Sequence, residues 1–62
     1  MKYIEKLGKT LEHAENCARL LSELIQEAED YDLERLLKKV DAELIDARHN
    51  LVLAQRIAKG NN

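Results

Sequence analysis

The sequence predicts an all-α protein: an antiparallel helical hairpin that dimerises into a four-helix bundle or a higher helical oligomer. Three observations predict it. The chain has two runs of apolar residues at helical spacing, a break in phase between them, and more apolar surface on each run than one hairpin can bury.

The first run is Ile4, Leu7, Leu11, Ala14, Ala18, Leu21, Ile25 and Ala28, in alternating steps of three and four. Such alternation is the seam of a heptad repeat, so it predicts a first helix over about residues 2–28. Gly8 costs about 1 kcal/mol inside a helix, and Thr10 offers itself as a later N-cap. Ile4 and Leu7 nevertheless keep the phase of the seam, which favours one continuous helix.

The second run is Leu33, Leu37, Val40, Leu44, Ala47, Leu51, Ala54 and Ala58, and it predicts a second helix over about 33–59. Between the two lies "QEAEDYDLERL", which contains neither glycine nor proline. One continuous coiled coil would place its next seam residues at Asp32 and Arg35, but the second seam begins with a five-residue step from Ala28 to Leu33. Continuous coils absorb insertions of three or four residues, so this step marks a turn over 29–32. Asp32 is expected to cap the second helix, with Tyr31 and Leu36 spaced as a hydrophobic staple. Asp30 is expected to adopt the left-handed turn conformation in place of a glycine. At the far end, Lys59 and Gly60 of "AKGNN" predict a stop near 59 with Gly60 just beyond the helix. Folding back pairs Ile25 with Leu37, Leu21 with Val40, Ala18 with Leu44, Ala14 with Ala47, Leu11 with Leu51, Leu7 with Ala54 and Ile4 with Ala58.

Residues 1–62 make a single small domain, and a chain of this size buries only about 60% of the surface it exposes when unfolded. With Cys17 as its one cysteine it forms no internal disulfide, which leaves association as the leading source of extra stability. Apolar residues beside the seams say the same. Tyr3, Cys17, Leu20, Leu24 and Tyr31 widen the first stripe, and Leu36, Ile45, Val52, Leu53 and Ile57 widen the second. The layer of Ala14 and Ala47 is too small to fill itself and calls for further helices to approach. The expected oligomer interface is therefore Tyr3, Ala14, Cys17, Leu20, Leu24, Ile45, Ala47, Val52, Leu53 and Ile57.

Charge sets the expected orientation. Glu23, Glu27, Glu29, Asp30, Asp32 and Glu34 crowd the turn with no basic residue among them, while the open end carries Lys2, Lys6, Lys9, Arg56 and Lys59. An antiparallel pair of hairpins sets each acidic turn beside basic termini, which predicts a symmetric dimer ahead of trimers or larger rings. A net charge of -2 argues against broad, charge-driven binding to nucleic acid. The chain has no apolar run of signal-peptide length and none near the ~18 residues of a membrane span, so the expected location is cytoplasmic, with no membrane partner.

Motifs for chemistry are sparse. "GKT" at Gly8, Lys9 and Thr10 resembles the end of a phosphate-binding loop, but Tyr3 stands where that motif needs glycine. Asp46 and His49 share the three-residue spacing of carboxylate–histidine metal sites, yet both point away from the seam, as does His13 at the same level, so no metal is expected. Cys17 beside the seam reads as a small buried hydrophobe, and Tyr3 and Tyr31 as packing residues. No acid, base or nucleophile pair shares a pocket, so neither enzymatic activity nor a cofactor is expected. Lys2, Lys6, Lys9, His13, Asn16 and Leu20 form a polar-basic row along the outside of helix one, which can contact RNA backbones if a dimer displays it twice.

A short helical hairpin with an Asp-containing, glycine-free turn near mid-chain and Ala/Leu heptad layers resembles, in architecture, the Rop family of plasmid RNA modulators. The resemblance implies an antiparallel dimer whose first helices present polar and basic residues to paired RNA loops, a role that falls here to Lys2, Lys6, Lys9, His13 and Asn16. The stretch "DARHNLVLAQRIAKG" is similar in texture to small all-helical phage proteins that oligomerise and sequester signalling nucleotides, which implies His49, Arg56 and Lys59 as phosphate contacts. The expected function is a non-enzymatic interaction or regulatory protein acting through its self-associated bundle on a host or cognate protein, as an inhibitor or adaptor from a phage or other mobile element. An RNA-binding regulator and an oligomeric nucleotide-sequestering protein are the alternatives.

Overall fold

The computed structural model describes residues 2–60, with Lys2 described by its backbone alone. Two helices, α1 (Lys2–Glu27) and α2 (Tyr31–Gly60), fold back on each other. They form a rod measuring 49 × 15 × 11 Å along its principal axes.

α1 runs unbroken through Gly8. Thr10 does not cap a later start: its hydroxyl donates to the Lys6 carbonyl at 2.7 Å, one turn back, as a threonine inside a helix does. The half-buried positions of α1 are Ile4, Leu7, Gly8, Leu11, Ala14, Ala18, Ile25 and Ala28 just beyond its end, with Leu21 buried. That is the expected seam, and it carries Gly8 alongside it.

The turn occupies 28–30 rather than 29–32, and Asp30 rather than Asp32 makes the cap. An Asp30 carboxylate oxygen accepts from the backbone N–H of Asp32 at 2.8 Å and of Leu33 at 3.2 Å. Its carbonyl accepts the first helical bond from Glu34 at 2.9 Å, the signature of an N-cap. No described residue has a positive φ, so Asp30 is not left-handed. With the cap moved two residues back, Tyr31 and Leu36 no longer flank it. They stand 78% and 61% exposed, and the expected staple does not form. Asp32 instead lies in the first turn and pairs weakly with Arg35 at 3.5 Å. We expect Asp30→Ala to cost about 1 kcal/mol, the usual worth of such a cap, and Asp32→Ala clearly less; urea unfolding midpoints of the two variants check the order. Gly60, expected outside the helix, is its last residue.

α2 is turned about its axis relative to the expected seam. Leu37, Leu44, Leu51 and Ala58 face α1 as expected, but the intervening column is Glu34, Asp41, Arg48 and Gln55. Leu33, Val40 and Ala47 stand exposed in their stead, and Ala54 is half-buried. Two contacts fix the register. The Arg48 guanidinium lies 3.9 Å from a Glu15 carboxylate oxygen, and Gln55 lies opposite Gly8, its Nε2 3.8 Å from where a Cβ would stand. These are the levels expected of Ala14 with Ala47 and Leu7 with Ala54, with each partner one residue further along the chain. The physical reason lies in the width of the second stripe. Its apolar residues span more than half of the helix circumference, so no single direction is marked as inward.

Candidate functional site

With the inner columns fixed, heptad geometry sorts the outer residues onto two broad faces of the hairpin. In an antiparallel pair the columns flanking the seam on one side belong together. On the first face these are Tyr3, Thr10, Cys17 and Leu24 of α1 with Leu33, Val40, Ala47 and Ala54 of α2. Its margins are Lys6, His13, Leu20 and Glu27 on one side and Leu36, Glu43, Asn50 and Ile57 on the other. On the opposite face Gly8, Glu15 and Ser22 meet Lys38, Ile45, Val52 and Lys59, with His49 and Arg56 at the margin.

Each face has a hollow that anchors the assignment. On the first, an open hollow of about 460 Å³ next to the turn is lined by Leu24, Ala28, Leu33 and Leu37 and rimmed by Glu27, Glu29 and Asp30. On the second, a shallow hollow of about 310 Å³ is lined by Leu11, Glu15, Ile45, Arg48, His49 and Val52. The first is an apolar floor with an acidic rim; the second mixes an ion pair and a histidine with three aliphatic side chains. The hairpin therefore has an apolar face and a polar face.

The expected oligomer interface divides accordingly. Tyr3, Cys17, Leu20, Leu24, Ala47 and Ile57 belong to the apolar face, Ile45 and Val52 to the polar one, and Leu53 to the back of α2. Ala14 is half-buried in the intrachain seam. Cys17 is exposed rather than buried, which corrects its expected role within the single chain. Leu33, Leu36 and Val40, absent from the expected interface, are among the exposed large apolar residues of the apolar face. The sequence marks all three as apolar, but the three-and-four alternation places Leu33 and Val40 in the intrachain seam.

Of the basic row, Lys6, Lys9, His13 and Asn16 are all exposed; the side chain of Lys2 lies outside the described residues. Lys6 and His13 edge the apolar face, and Lys9 and Asn16 point away from it. His49 and Arg56 share one column two turns apart, with Lys59 beside it on the polar face. Any phosphate there would meet the Glu15 carboxylate next to Arg48. The Arg48 Nε is buried without a hydrogen-bond partner among the described residues. Among the described residues no group of three or more His, Cys, Asp or Glu stands close enough to hold a metal ion. No described helix is long and apolar enough to cross a membrane.

Comparison with protein-family models, curated proteins and solved structures gives no match to this chain. The resemblance to Rop thus extends to a two-helix hairpin with packed helices, and the case for function rests on the two faces.

Proposed function

We propose that this chain is the protomer of a self-associated helical bundle and acts, without chemistry of its own, as an interaction or regulatory protein through the surface of that bundle. One observation carries the reading: among the described residues only Leu21, 6% exposed, and Ala58, 5% exposed, are buried. Ten large apolar side chains stand exposed on the same small rod. Seven of the ten, Tyr3, Leu20, Leu24, Leu33, Leu36, Val40 and Ile57, lie on the apolar face or its margins, and an exposed apolar patch of that kind is the mark of an association site. The three ion pairs among the described residues do not compensate. Two of them join neighbouring turns of α2, and each has at least one exposed partner, so each adds little.

The basic row and the phosphate-facing trio support their alternatives less well. The row has no exposed aromatic residue among its described members, and base stacking is a large part of RNA recognition. The trio is spread along nearly three turns beside a carboxylate. Size exclusion with light scattering at micromolar concentration tests the proposal. The expected result is a mass at least twice the chain's 7.1 kDa, and a folded monomer defeats it.

A further inference from the structure

We infer that the occupant of the acidic-rimmed hollow at the turn is the open end of a second copy, with Tyr3 of that copy on its apolar floor and Lys6 of that copy beside Glu27. The inference rests on the self-association proposed above and specifies its face and direction.

The first argument is the face. A second hairpin laid lengthwise on the apolar face covers an outline of 49 × 15 Å, on the order of the ~800 Å² per partner that a stable interface buries. The rotation of α2 places Leu33, Val40 and Ala47 on this face and brings Glu34, Asp41, Arg48 and Gln55 into the half-buried column against α1. A helix packing only against α1 would gain by turning the other way, so its orientation suits a helix that also has a neighbour across the apolar face.

The second argument is direction. Two hairpins stacked face to face about a two-fold axis run either turn on turn or turn on open end. The first sets Glu27, Glu29 and Asp30 of one hollow against their own copies, which is repulsive at short range. The second sets them against the end at which Lys6, exposed, edges the apolar face. In that arrangement α1 lies across α1 of the second copy. Tyr3, half exposed in the hairpin, then falls at the level between Leu24 and Ala28, and Lys6 about one turn from Glu27, within reach of a lysine side chain. The two ends are complementary in shape as well: a hollow with four aliphatic walls at one, a projecting aromatic ring at the other.

Cross-linking tests this in full-length chains carrying Cys17→Ala, so that each variant has one thiol. Tyr3→Cys and Leu24→Cys are purified separately, checked for helical circular dichroism, mixed in equal amounts and treated with a short bismaleimide. The expected result is a covalent dimer in the mixture, at least tenfold above either variant alone. In parallel, Lys6→Glu should weaken self-association at least tenfold, and adding Glu27→Lys to the same chain should restore it. A dimeric mass with cross-linking in the Leu24→Cys sample alone, or without charge-swap rescue, overturns the inference and leaves self-association standing. A monomeric mass for the unmodified chain, which gives the hollow to a foreign partner or to none, overturns both.

Discussion

Leu21→Ala is expected to leave the chain largely unfolded at low micromolar concentration. Leu21 is the one large side chain buried among the described residues, 6% exposed, at the centre of the half of α1 nearest the turn. Truncating a buried leucine removes its transfer free energy and leaves a cavity, about 2–5 kcal/mol together. A core of this size rarely supplies more than about 3–5 kcal/mol in all, so the loss is comparable to the total. Tyr31→Ala is the matched control. Tyr31 is 78% exposed at the first position of α2, and removal of a surface side chain usually stays within about 0.5 kcal/mol. If Tyr31 instead served as a staple, the control would fall with it. Helical circular dichroism against temperature separates the two. Because association stabilises only the folded chain, both melting curves should rise with protein concentration. A concentration-independent melt would tell against a linked dimer.

The existence of both helices, the turn between them and the inner columns of α1 were legible because each rests on spacing alone. Ile4 through Ala28 alternate with no competing register, and the five-residue step to Leu33 admits no continuous coil. The cap was not legible to the residue. Asp30 and Asp32 both fit the pattern of an aspartate ahead of an apolar run, and only the backbone path shows which carboxylate reaches two N–H groups. The facing of α2 was hidden for a different reason. Its apolar residues run from Leu36 through Leu33, Leu37 and Leu44 round to Ile45, an arc wider than one neighbour can cover. A stripe of that width exceeds what α1 alone can cover, and spacing does not say which part of it meets α1. The candidate interface inherited the ambiguity: Ile45 and Val52 were grouped with Leu24 although a helix separates them.

That ambiguity supplies the sharpest contrast between the faces. Val40 and Ile45 are aliphatic, lie on the same helix little more than one turn apart, and are comparably exposed in the single hairpin, 45% and 54%. Judged by the hairpin alone, Val40→Glu and Ile45→Glu should cost about the same, a few tenths of a kcal/mol. A second copy on the apolar face breaks the equivalence. Val40 then enters a dry interface twice, once from each protomer, and an unpaired carboxylate there costs several kcal/mol after relaxation, while Ile45 stays on the polar face near Arg48 and His49. Val40→Glu is expected to weaken dimerisation by at least about 100-fold, the equivalent of roughly 3 kcal/mol. Ile45→Glu should shift it less than about fivefold. Sedimentation equilibrium over a range of concentrations reads both constants directly. The reverse order would move the interface to the side of His49 and, with it, the role of every residue placed on the apolar face.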